Sequence, residues 1–452
     1  MSNTETAAAA EETPLKRAIS KPLLVVFVTG DILGAGIYAV AGEIATQVGG
    51  AIWAPMSLAF ALALLTATSY AELVTKYPQA AGAALYVHKA FGRPFITFII
   101  AVAVMASGIS SASTSALAFG GDYLQTFVAV PQVLAAVLFL VVLTIINFRG
   151  ISESIKLNLG LTIIEASGLL IVIIIGAAAF TGGTADVNRA FQFSDHTAVP
   201  LALLSGAALA FFSFVGFEDS VNVAEETKNP RRIFPFALFT GLTIAFVFYL
   251  LVVLTAAIVV PTEDLADSSA PLLQVVKIGA PSFPPDVFAL MALFAVTNTA
   301  LINLIMASRL LYGLSNQGII PAVFARVHPL RRTPWVAILV VTGVAVVLVS
   351  TGSIAALAGT TVLLLLSVFT LVNVSVLVLR RDKISEQHFQ APTLIPVLGA
   401  ISSAGLVIFT IAIDPFAALR AVLLIGVGMV LWFINQAFRG GVEQIDPTHL
   451  TK

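Results

Sequence analysis

Along most of the chain, apolar residues cover every face a helix would present, in runs broken only by short polar stretches. A run of about 20 apolar residues is long enough to cross a bilayer, whose hydrocarbon core is ~30 Å thick. Twelve such segments are predicted, at roughly 22–46, 52–76, 94–119, 131–148, 155–180, 199–224, 233–260, 286–313, 335–350, 354–379, 393–412 and 416–438. Barrel strands would be about ten residues long and would alternate apolar with polar. These runs do neither. The pattern predicts an all-α polytopic membrane protein.

Composition agrees with the pattern. Of the 452 residues, 58% are apolar and only 10% are charged, against about 25% charged in a soluble chain. That excludes a soluble enzyme, and the absence of cysteine excludes a disulfide scaffold. A net charge of −1 gives no footprint for nucleic acid. The Ala-, Glu- and Thr-rich start, 1–20, reads as a disordered tail rather than a signal peptide, so the first apolar segment is expected to remain as a span.

Lys and Arg set the expected orientation. With the N-terminus inside, 20 of them fall on the cytoplasmic side and only Arg189, Lys277 and Arg420 outside. An even number of spans then puts both termini in the cytoplasm of a cell whose plasma membrane holds the chain. The stretches near 181–199 and 261–285 are read as outside loops.

Two spans carry interruptions. The first contains Gly30-Asp31-Ile32-Leu33-Gly34-Ala35-Gly36-Ile37-Tyr38, and each Gly weakens a helix by about 1 kcal/mol relative to Ala. Alone, this could be a surface for close helix packing. The sixth, however, contains Phe211-Phe212-Ser213-Phe214-Val215-Gly216-Phe217-Glu218-Asp219. Interrupted segments at matching places in two halves point to inverted repeats with a midplane site. A broken helix leaves N–H groups free at the start of one half and C=O groups free at the end of the other. Amides of Ala35, Gly36 and Ile37 would face an anionic group. Carbonyls near Ile32, Phe212 and Val215 would face a cationic one. An α-amino acid satisfies both.

Four ordered motifs resemble a known family. Gly34-Ala35-Gly36-Ile37-Tyr38 looks like the first-helix motif of the amino acid–polyamine–organocation permeases, and Phe212 to Glu218 like their sixth-helix motif. Ala224 to Arg232 resembles the loop that follows, and Ser308-Arg309-Leu310-Leu311-Tyr312-Gly313 the end of their eighth helix. The resemblance implies a LeuT-type fold, alternating access, and amino acid or amine substrates. It also implies a ligand held by Ile32 to Gly36, Ile37, Val215 and Gly216, with Phe212 as an aromatic gate. The expected layout is a transport core at 21–380, with repeats at about 21–181 and 195–380. Two further helices at 381–440 and a cytoplasmic tail at 441–452 complete it.

Asp31, Glu165 and Glu218 lie well inside predicted spans, where an Asp costs about 2.5–3.5 kcal/mol at mid-helix. No Lys or Arg occupies the middle of any span. Each acid must therefore be neutralised by a proton, a cationic ligand or a metal cation. In proton-dependent relatives the Glu165 position looks like a lysine, so this chain departs from that pattern. Glu165 either couples transport to an ion or is a neutral structural group. Asp31 and Glu218 carry the same two readings. All His lie outside the spans, so neither a zinc site nor a Ser–His pair is expected within the membrane. No P-loop or filter repeat is present, which argues against a pump or a channel. The sequence predicts a secondary transporter of amino acids, proton-coupled or exchanging, without catalytic residues or a cofactor. An amine or polyamine transporter and a sodium-coupled symporter are the alternatives.

Overall fold

The computed structural model describes residues 17–79, 82–149, 155–194, 197–384 and 386–439. Most of the expected N-terminal tail and the tail beyond 440 fall outside them. Within the described residues the fold is helical, with isolated bridges at Ile19–Thr227 and Gly49–Phe193 and no strands. In chain order the helices are α1 (Lys21–Ile32), α2 (Ala35–Val48), α3 (Trp53–Lys76), α4 (Gly82–Phe91), α5 (Pro94–Ala118), α6 (Gln132–Arg149), α7 (Ile155–Thr181) and α8 (Val199–Phe211). Then come α9 (Pro230–Val259), α10 (Thr262–Ala266), α11 (Pro271–Gly279), α12 (Pro285–Asn316), α13 (Trp335–Thr351), α14 (Ile354–Leu379), α15 (Leu394–Ile413) and α16 (Pro415–Arg439).

Ten helical segments among the described residues are long and apolar enough to cross a membrane, and the bent pair α1–α2 makes an eleventh. α13 is apolar but shorter, at 17 residues. The outer faces are apolar too. Ile408 is 69% exposed and Phe416 71%, which suits lipid and not water. The centre is built from small residues, with Ala35, Ala39, Ala112, Ala116 and Ala210 all buried where α2, α5 and α8 meet. Small side chains let backbones approach closely where lipid supplies no hydrophobic drive between helices.

Three helices lie where loops were read. α4 follows α3, while α10 and α11 fill the stretch after α9. α11 buries Leu272, Leu273, Val275 and Val276 against the bundle. α5 ends in a π-turn at Phe119–Tyr123. There the Asp122 carboxylate accepts from the Ser268 hydroxyl at 2.8 Å and the Ser269 N–H at 3.1 Å, fastening the α10–α11 connection to the end of α5.

Near the end of its span, the Glu72 carboxylate could extend to the membrane interface. Instead it is buried at the end of α3, in a two-bond pair with Arg380, with N···O distances of 2.8 and 2.7 Å. It also accepts from the Ala391 N–H at 2.9 Å. One carboxylate thus ties α3, α14 and the segment before α15 together.

Candidate functional site

The first span breaks where its glycines are densest. α1 ends at Ile32, the chain runs through Leu33 and an extended Gly34, and α2 leaves at 41° to α1. The Ile32 carbonyl accepts from the Gly34 N–H and from the Tyr249 hydroxyl, so its two lone pairs are already engaged. Gly34 is the N-cap of α2 and has no side chain to offer its amides. The Ala35 N–H is nonetheless taken, by Thr299 Oγ1 of α12 at 2.9 Å. The Gly36 and Ile37 N–H groups have no acceptor among the described residues.

The sixth span breaks against the first. α8 stops at Phe211 and tightens into a 3₁₀ turn at Phe212–Phe214; Val215 is extended and Gly216 has φ +123°. Chain continuity is recovered as a second 3₁₀ turn at Asp219–Val223. The Glu218 carboxylate accepts from the Gly216 N–H at 3.0 Å and so props the break open. Phe212 is buried, at 3% exposed.

The two breaks press on one another. A Cβ on Gly36 would lie 2.6 Å from Ser213 Cα, and one on Gly216 would lie 2.5 Å from the Asp31 carbonyl oxygen. The glycines are needed here for close approach of two backbones. The start of α2 therefore faces the Phe212–Phe214 turn directly. At that junction the Ser213 hydroxyl is 1% exposed and has no hydrogen-bond partner.

Glu165 lies beside this junction on α7. Its Oε1 accepts from Asn298 Nδ2 of α12 at 3.2 Å, and its main-chain oxygen from the Tyr38 hydroxyl of α2 at 2.8 Å. Its Oε2 is unpartnered, and no Lys or Arg pairs with it among the described residues. Tyr38, Glu165, Asn298, Thr299 and Ala35 thus link α2, α7 and α12 in a closed circuit of side chains and backbone. Asp31 stands at the end of α1, its carbonyl against Gly216.

Next to Val215 opens a cavity of about 60 Å³ between α5, α12, α14 and the segment after Gly216. That is room for several water-sized groups. Ser107, Ser111 and Asn303 line it opposite Glu218, Asp219 and Asn222, and its lining includes no Lys or Arg. No three His, Asp or Glu side chains among the described residues converge as metal ligands would.

Free amides and an idle hydroxyl where two helix breaks cross, with a cavity beside Val215 of the second, suit a small zwitterion. The family model described as amino acid permease matches residues 22–435. The chain belongs to the amino acid permease family of membrane transporters. It is 30% identical to cationic amino acid transporter 9, chloroplastic, of Arabidopsis thaliana, over 68% of this chain and 56% of that protein. The chain thus spans little more than half the length of that relative. It is 26% identical to a methylthioribose transporter of Bacillus subtilis (strain 168), over 93% of each. A branched-chain amino acid permease of the same organism is 24% identical over 95% of each.

Of the expected ligand residues, the structure sets Gly36 against Ser213, next to Phe212, and Gly216 against Asp31 and Ile32, while the cavity takes in only Val215 of them. Two expected ligand groups are already engaged. The Ala35 amide and the Ile32 carbonyl are already spent on Thr299 and Tyr249. Sequence reasoning missed Thr299 because its partner is 264 residues away and a threonine inside an apolar helix carries no motif. Ser213 lay inside the quoted motif; its backbone contact with Gly36 was the missing information.

Proposed function

We propose that the permease is a secondary transporter that moves amino acids across the plasma membrane by alternating access. In this reading α13 also spans, giving twelve spans and cytoplasmic termini. The repeats at about 21–181 and 195–380 form a LeuT-type core, with α15 and α16 outside it. The contact between the two breaks carries the reading, since an amino acid offers one charge to each broken helix. Gly36 and Ile37 receive the carboxylate, and the Phe212–Val215 carbonyls receive the ammonium. Phe212 covers the ligand.

Glu165 is the coupling group of this reading. It is buried beside the ligand junction, has one idle oxygen and has no basic partner among the described residues. Tyr38 and Tyr249 are its titratable neighbours from α2 and α9. A proton is the smallest cation that neutralises it. If the two faces of the cycle hydrate Glu165 differently, protonation is linked to the conformational equilibrium. A second reading has some support: Glu218 and Asp219 in the cavity beside Val215 would favour an amine or a cationic side chain.

A screen of the purified protein against the twenty amino acids and common amines should give thermal shifts for a few of them, because a ligand of the native state stabilises it. Proteoliposome uptake of those compounds should rise under an inward proton gradient, and Glu165→Gln should flatten that response while binding persists. A Glu165→Gln protein with the wild-type response would make Glu165 structural and pass the role to Asp31 or Glu218. Binding of amines alone would favour the second reading.

A further inference from the structure

Thr299 behaves unlike its neighbours. A hydroxyl inside a helix normally donates to the carbonyl four residues back, as Thr297, two residues earlier in the same helix, does to Leu293 at 2.6 Å. Thr299 instead accepts, from the Ala35 N–H of another helix. A hydroxyl has one proton to give as well as lone pairs, and the Thr299 proton has no acceptor among the described residues. Its setting is built to hold it there. Asn303 Nδ2 donates to the Thr299 carbonyl at 2.9 Å, while Asn298 before it is tied to Glu165. Gly34 leaves the room: a Cβ there would lie 2.6 Å from Thr299 Oγ1.

Three donors at or against the start of α2 therefore lack acceptors among the described residues: the Gly36 N–H, the Ile37 N–H and the Thr299 O–H. The unpartnered Ser213 hydroxyl, 1% exposed, lies across from Gly36. Buried donors left unmade are costly, so the cluster calls for an acceptor with several lone pairs. We propose that Thr299 is a specificity residue that completes the carboxylate site, taking the Ala35 N–H and handing its own proton to a ligand carboxylate oxygen. The inference rests on the reading that the start of α2 binds a carboxylate. It adds a side chain from α12 that tells a carboxylate from a carboxamide, because the amide NH₂ would meet donors with a donor.

The test compares an acid with its own amide. The amino acid giving the largest thermal shift among the standard twenty serves as probe, against its carboxamide, with competition binding as the readout. Wild type should prefer the acid strongly. Thr299→Val keeps the shape and removes the hydroxyl, and should lower the acid-over-amide ratio about tenfold, the factor that ~1.4 kcal/mol represents. Thr299→Ser should keep the ratio. A ratio is insensitive to a uniform loss of folded protein, so a merely structural role would not move it. If wild type shows no preference, or no amino acid binds, the carboxylate reading falls and this inference with it. If wild type shows the preference and Thr299→Val retains it in full, Thr299 alone is overturned. A Ser variant as impaired as Val overturns it too.

Discussion

Gly216 sits at φ +123°, and a Cβ there would lie 2.5 Å from the Asp31 carbonyl oxygen. Both facts forbid a side chain. Backbone in that region costs roughly 1–3 kcal/mol for a residue other than glycine, before the overlap with Asp31 is counted. Gly216→Ala should therefore lower the thermal midpoint in detergent and abolish amino acid binding. A variant that melts and binds as wild type would mean the sixth span is not broken as described. Gly36→Val would not be a selective probe of the ligand, since it would strike Ser213 as well. The residues of the breaks were legible as glycines and acids. Their hydrogen bonds were not, because Tyr249 and Thr299 reach Ile32 and Ala35 from helices hundreds of positions away.

Among the elements, most boundaries follow from apolar length alone: α14 runs over 354–379 as read, and α7 over 155–181 against 155–180. α10 and α11 escaped notice because short helices with one apolar face look like loops to a count of apolar residues. How α3 and α14 are joined was also invisible. Glu72 and Arg380 lie 308 residues apart, yet they form one buried pair, with side chains 2% and 16% exposed. Removing one partner of such a pair leaves the other charge uncompensated, at a cost of about 3 kcal/mol or more. Glu72→Ala should be destabilised by about that amount in thermal or denaturant unfolding. The double variant Glu72→Met/Arg380→Met should recover much of it, since apolar side chains of similar volume replace such pairs well. Equal stability of Glu72→Ala and wild type would contradict the pairing.

As a whole, the described molecule is a helical bundle in which two interrupted helices cross. The membrane class was legible because charge is so sparse. The paired breaks were legible because Gly34 and Gly216 fall five spans apart. The cavity beside Val215 was not, because it is assembled from α5, α12 and α14 together with the segment after Gly216. The two ends of the described structure differ. On the α10–α11 side Asp122 is fastened to Ser268 and Ser269, while the cavity reaches the break from the α4 side. The most direct measurement is an experimental structure with the strongest-binding amino acid present. The account predicts the carboxylate within hydrogen-bond distance of the Gly36 and Ile37 N–H groups, and the ammonium against the carbonyls of Phe212–Val215. An amino acid bound elsewhere, with the start of α2 left unliganded, would contradict it.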